Sequence, residues 1–296
     1  MSAFHLAGVV PVAGQPLDFD FPWHDSLQPI GQNYLAVERA VVECAYAGCN
    51  TIWVVCNDDM QPLIRHRLGE YIQDPVFVER RHYHGPTMVQ KQIPIYYVPI
   101  HSKDLGKRDC LSWSVLYGAL TAYHISKKIS KWTVPQKFYT AFPYGVYDPA
   151  FVREHRRVIS SAKNFFISHE GKTVRDNEYL GFSFGEEEFI EYRKIVRREG
   201  TGRMVPGQEY GGREELPLHE RWSARNFTLD KVFGSAILED SNVVEAPWYK
   251  RIDNWDGLRD FLSSEFKLER PSKKLFSYKE WNPIGEDREE LDESSG

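Results

Sequence analysis

Cysteine is scarce in this 296-residue chain: there are four, Cys44, Cys49, Cys56 and Cys110, and no two of them form a C-x-x-C pair. That argues against a zinc ribbon and against a disulfide framework. The N-terminal MSAFHLAGVVPVAG has neither a basic leader nor a long apolar stretch before a cleavage site, so no signal peptide is expected. The cysteines therefore read as reduced thiols of a cytoplasmic protein. No apolar run approaches the ~18–20 residues that cross a bilayer, so no membrane contact is expected. Positive charge is in deficit: Lys plus Arg number 37 against 42 Asp plus Glu, a net −5. This argues against bulk nucleic-acid binding, which relies on cations neutralising phosphates. There is no internal repeat and no low-complexity linker.

Aromatics (14% of the chain) and prolines (17) are more plentiful. The run GVVPVA (8–13) ending at Gly14 suits a buried strand followed by a loop, and the proline-bearing loop over 15–32 is long enough to be functional. Apolar spacing predicts a helix over 33–47 stopped by Gly48, and TIWVVC (51–56) a second strand. A helix follows over 61–71, then an extended excursion over 76–92 and a strand over 93–100. Further helices are expected over 109–125, 186–198, 228–233 and 255–266, with strands over 137–142 and 164–168. Strands alternating with helices imply a three-layer α/β/α domain with a mostly parallel, Rossmann-like sheet. We expect it to span 1–270, with a peripheral half at about 165–235. Residues 283–296 form an acidic tail without the apolar content to fold; Glu286 to Glu293 alone holds six carboxylates and one arginine.

Several pieces in order carry a resemblance: VVPVAG (9–14), LQPIG (27–31), NYLAVERAVVECAYAGCNTIWVVCN (33–57), RHRLGEYI (65–72) and APWYKRIDNWDGLRDFLSS (246–264). Together they resemble the nucleotide-diphospho-sugar transferases, and among them the sugar-phosphate nucleotidyltransferases. The resemblance implies transfer of a nucleotidyl group from a nucleoside triphosphate to a sugar phosphate, with pyrophosphate released. It implies a glycine loop close to the phosphates, and Mg²⁺ held between carboxylates to lower charge repulsion. On that basis Ala13, Gly14, Gln15 and Asp25 are the candidate nucleotide contacts. Lys107, Arg108 and Ser112, at the start of a helix, are candidates for phosphate. Arg251 and Asp253 are the candidate catalytic residues, with Asp253 and Asp148 as metal ligands.

The charged positions depart from the family pattern. Gly-x-Gly-Thr-Arg is here Gly14-Gln15-Pro16-Leu17, the Pro-Lys before LQPIG is Asp25-Ser26, and Phe142-Pro143-Tyr144-Gly145 lacks the usual carboxylate. The first Asp of the closing segment is Arg251. Two other functions therefore stand beside transfer: a non-catalytic nucleotide-sugar-binding or assembly protein, and a glycosyltransferase, for which Asp18-Phe19-Asp20 offers a D-x-D triplet. Asp58-Asp59 reads as an N-cap for the following helix, Arg65-His66-Arg67 as surface charge, and ERRHYH (79–84) as a basic–aromatic cluster. Gly181 to Gly185 spells G-x-S-x-G, but its phenylalanines alternate as in a strand, and no other hydrolase landmark accompanies it. The oligomeric state is open.

Overall fold

The computed structural model describes residues 4–14, 21–80, 91–104, 108, 110–130, 133–204, 213–215, 227–271 and 275–276. The chain opens with β1 (Leu6–Pro11), a 3-10 turn (Asp25–Leu27), the hairpin β2 (Pro29–Gly31) and β3 (Tyr34–Leu35), and α1 (Ala36–Ala47). Next come β4 (Thr51–Cys56), α2 (Gln61–Leu68), β5 (Tyr71–Gln73), α3 (Pro75–Arg80), β6 (Gln92–Pro99) and α4 (Leu111–Ile129). The middle holds β7 (Lys137–Thr140), β8 (Gly145–Val146), α5 (Phe151–Glu154), α6 (Arg156–Ile159), β9 (Phe165–Ser168), β10 (Phe182–Phe184) and α7 (Glu186–Thr201). The rest comprises β11 (Gly202–Met204), β12 (Arg213–Glu215), α8 (Leu229–Phe233), β13 (Asn242–Glu245), β14 (Lys250–Arg251) and α9 (Trp255–Ser263).

Eight strands form one mixed sheet in the order β13-β9-β10-β7-β1-β4-β6-β5. Strands β7, β1, β4 and β6 run parallel, as do β13 and β9, while β10 and β5 are antiparallel to their neighbours. All six residues of β1 are buried, because helices cover both faces of the sheet and neither face of the strand can be polar. Val10, Ile52 and Val54 pack on the α1 side; Val9, Trp53, Val55, Leu116 and Phe182 pack on the α4 side. From β1 the chain builds outward through β4 and β6, then returns to place β7 on the other flank of β1. The order thus reverses between β1 and β7. In open α/β sheets the crevice at the carboxyl ends of such strands is where ligands bind.

Several elements differ from expectation for identifiable reasons. The first helix begins at Ala36 rather than at 33, because Tyr34–Leu35 pairs with Pro29–Gly31 through a turn in which Asn33 adopts φ 53°. Part of the expected excursion over 76–92 is α3, and 81–90 lie outside the described residues, as do most of ERRHYH and the acidic tail. Strand β13 was not foreseen; it is short and has little apolar alternation. The expected Asp58-Asp59 cap is not made: the residue before α2 is Met60, which has no side-chain cap, and the amides of Met60 and Gln61 bond the Asn57 carbonyl instead. Arg67 is more than surface charge. It meets the buried Glu38 at 2.9 Å, and Glu38 also accepts from Arg270 at 2.8 Å, tying α1, α2 and the chain after α9 together. Among the described residues no helix is long and apolar enough to cross a membrane.

Candidate functional site

The crevice at the carboxyl ends of β1 and β7 is built from segments anchored separately. The chain leaving β1 is held by the amides of Val12 and Ala13, both donating to the Val55 carbonyl at 2.8 and 2.9 Å, and by Ser114 Oγ donating to the Ala13 carbonyl at 2.6 Å. Gly14 follows with φ 81°, and a Cβ there would lie 2.5 Å from the backbone of Cys110, the residue capping α4. Glycine is therefore required by the close approach of the loop to the helix start as well as by the left-handed backbone. On the other flank, the Tyr144 hydroxyl donates to the Val12 carbonyl at 3.0 Å, fastening the loop after β7 to the end of β1.

A charged pair supports that loop from inside the core. Arg39 and Glu43, one turn apart on α1, are both buried and bonded at 2.8 Å. Arg39 Nη2 also donates to the Phe142 carbonyl at 2.5 Å, and Glu43 Oε1 accepts from the hydroxyls of Tyr139 (2.7 Å) and Tyr147 (2.6 Å). Burial disfavours the Arg39 charge, but the Glu43 carboxylate outweighs it, and the arginine's pKa is raised. The pair is hydrogen-bonded through both oxygens of its carboxylate, while Arg39 Nε is buried with no hydrogen-bond partner among the described residues.

Strands β8 and β14 bring the two divergent motifs together, with Arg251 paired opposite Gly145 and Lys250 opposite Val146. The Ile252 amide bonds the Tyr144 carbonyl at 2.9 Å and extends the contact. Glycine at 145 lets the Tyr179 carbonyl close on this ribbon, since a Cβ there would lie 2.1 Å from it. Arg251 grips Asp253 with both faces of its fork, Nε to Oδ1 at 2.9 Å and Nη2 to Oδ2 at 2.8 Å. The guanidinium lies 4.6 Å from the centre of the Tyr179 ring, and its Nη1 donates to the Asn177 carbonyl at 3.2 Å. Asp253 also accepts from the Tyr179 hydroxyl at 3.2 Å and from Asn254 Nδ2 at 3.2 Å. The Arg251 side chain is 35% exposed and that of Asp253 only 11%. Burial opposes the Arg251 charge, yet its hydrogen bonds to Asp253 and the neighbouring Tyr179 raise the pKa further. Tyr144, buried beside Asp25, Tyr179 and Asp253, has its phenol pushed well above the usual range, first by burial and then by those neighbours.

These residues do not fit a Mg²⁺ site. Both oxygens of Asp253 are occupied by donors, two of them from a guanidinium. Asp148 is exposed and its Oδ1 caps the Ala150 amide at 2.9 Å. Asp148 lies two residues past β8 and Asp253 two past β14; because the strands are antiparallel, the two carboxylates fall at opposite ends of the ribbon. Among the described residues no three His, Cys, Asp or Glu side chains are grouped as metal ligands.

The remaining candidates are dispersed. Asp25 is buried in the 3-10 turn near Tyr144. The Ser112 hydroxyl is buried and donates to the Phe227 carbonyl at 3.0 Å, which gives it a packing role. Arg108 lies 3.7 Å from Asp104 and 5.0 Å from the Trp113 ring centre. Gln15 and Lys107 lie outside the described residues, as do Asp18, Asp20 and Asp109; α4 begins at Leu111 behind Cys110. Ser183 of the G-x-S-x-G run is buried within β10 and accepts from the Phe165 amide at 2.9 Å, which is not the exposed turn a nucleophile needs. Sequence reasoning missed Tyr144, Tyr179 and Asn177. The available signal was the turn Asp176-Asn177, where Asn177 takes φ 65°. It also missed Asn57, whose buried Oδ1 at the carboxyl end of β4 has no hydrogen-bond partner among the described residues.

No family model and no curated protein matches the chain. Among solved structures, a Bacillus anthracis protein assigned as a glucose-1-phosphate thymidylyltransferase is similar with a TM-score of 0.52 and 8% identity, over 90% of this chain and 98% of that one. A nucleoside-diphosphate-sugar pyrophosphorylase of Vibrio cholerae RC9 is similar with a TM-score of 0.50 and 12% identity, over 87% of this chain and 100% of that one. Identity this low speaks to architecture alone: the chain has the α/β fold of the sugar-phosphate nucleotidyltransferases.

Proposed function

We propose that the crevice between β1 and β7 binds a nucleoside triphosphate or nucleotide-sugar, and that its reaction class is nucleotidyl transfer to a sugar phosphate. In that reaction a sugar-phosphate oxygen attacks the α-phosphorus, the bond to the β-phosphate oxygen breaks, and pyrophosphate leaves. The observation that carries the reading is the meeting of Gly145 with Arg251 beside the end of β1, in a fold shared with pyrophosphorylases. Gly14 lets the chain leaving β1 lie directly against the start of α4, Asn57 Oδ1 is an acceptor at the neighbouring end of β4, and Arg251 is the partly exposed cation for phosphate. The saturated Asp253 favours a second reading, a protein that binds nucleotide-sugars without turnover.

Thermal-shift measurements against nucleoside triphosphates and nucleotide-sugars, followed by a pyrophosphate-release assay with sugar phosphates, test this. Transfer predicts a raised melting temperature with a triphosphate and pyrophosphate released only when a sugar phosphate is present. A shift with nucleotide-sugars and no pyrophosphate from any sugar phosphate selects the second reading. No shift with any nucleotide refutes both.

A further inference from the structure

The same cluster has a consequence for how charge is handled at the site. A divalent cation between phosphates needs carboxylate oxygens that are free to coordinate it. Asp253 has none to spare: Arg251 Nε and Nη2, the Tyr179 hydroxyl and Asn254 Nδ2 converge on its two oxygens. Recruiting that carboxylate to a metal would break a bidentate, charge-assisted pair. It would also leave a guanidinium, still held by the Tyr179 ring and the Asn177 carbonyl, directly beside a dication. Asp148 does not offset this, since the β8–β14 register carries it to the far end of the ribbon.

Arg251, by contrast, is preorganised as a cation. It is fixed on one side by Asp253, on a second by the Asn177 carbonyl and from below by an aromatic ring. Glu178, 3.9 Å from Nη1, accepts from the Tyr249 hydroxyl at 3.1 Å, and that hydroxyl accepts from the Tyr179 amide at 3.0 Å, so the support extends outward. About a third of the side chain stays open to solvent.

We propose that Asp253 is a positioning residue rather than a metal ligand: it orients Arg251, and Arg251 binds the phosphate groups of the ligand without a divalent metal. The ligand class rests on the proposed function above; the assignment of Asp253 does not. Manganese binding, read by electron paramagnetic resonance or calorimetry, tests that assignment without any nucleotide. The wild-type protein and Asp253→Asn are expected to bind Mn²⁺ equally, within twofold, or not at all. Tight wild-type Mn²⁺ binding that weakens tenfold or more in Asp253→Asn overturns the proposal.

For the ligand, melting-temperature titrations with UDP-glucose, dTDP-glucose and UTP in excess EDTA and in excess Mg²⁺ are expected to give affinities within twofold of each other. Arg251→Gln is expected to weaken them tenfold or more, and Arg251→Lys to restore only part of the loss because it cannot form the fork. A response that vanishes in EDTA overturns metal-free binding. If none of these nucleotides binds in either condition, the proposed function fails, and the manganese comparison still decides the role of Asp253. Should the Arg251 and Asp253 variants fail to fold, the EDTA comparison on the wild-type protein stands alone.

Discussion

At the scale of single residues, the most consequential side chains are charged groups placed where charge is expensive. Glu43 sits under the sheet with Arg39 and two tyrosine hydroxyls. Removing its charge in Glu43→Gln strands the arginine, and an uncompensated buried charge costs about 3–5 kcal/mol. The expected result is a large fall in the urea midpoint, partly recovered in the double variant Arg39→Met with Glu43→Leu, which removes both charges of the pair. A second consequence concerns pH. Burial lowers the pKa of His5 and of His24, in His24 against the opposing pull of Asp59. An unfolded histidine titrates near 6.5, so below that value the unfolded chain binds protons that the folded chain refuses. Both histidines therefore withdraw stability as pH falls through that window. Urea midpoints measured between pH 7 and 5 should decline less steeply in His24→Asn, which keeps a side-chain acceptor for the Ser26 amide.

At the scale of elements, the site depends on a ribbon of two-residue strands. Its helices and strands were legible where apolar periodicity was strong: β1, α1, β4 and α9 fall within a few residues of the expected spans. The β8–β14 pairing was not legible, because two residues give no periodicity and the partners are about a hundred positions apart in sequence. Glycine marks the contact only in retrospect. Gly145→Ala would drive a methyl into the Tyr179 carbonyl. Overpacking of this kind costs about 1–3 kcal/mol. Differential scanning calorimetry should show a melting point lowered by several degrees. Because Arg251 lies opposite, the nucleotide-induced shift should shrink as well. A variant with unchanged melting and unchanged nucleotide response would show that the close approach is not maintained in solution.

At the scale of the whole molecule, strands from Leu6 to Glu245 share one sheet, and Tyr147 joins α1 to the segment before β10 through Glu43 and the Gly181 amide. Residues 1–270 are accordingly expected to unfold as one cooperative unit. Far- and near-ultraviolet circular dichroism should then report coincident urea transitions, whereas two separated transitions would divide the first half from the region around 165–235. Much of the net charge of −5 lies in the acidic C-terminal stretch, so the rest of the chain is close to neutral.

The sequence by itself determined the alternation of buried strands with amphipathic helices, and with it the layered α/β class, because apolar spacing follows directly from backbone periodicity. It also showed that the charged positions of the motif had changed. Only the tertiary structure decided what those changes amount to. Whether Asp253 is a free ligand or one half of an ion pair depends on which guanidinium reaches it. Whether Asp148 could join it depends on the direction in which two short strands pair. Both are set by long-range contacts that no local pattern records: Arg251 against the Tyr179 ring, Gly145 against the Tyr179 carbonyl, and Arg39 holding the Phe142 carbonyl from the core.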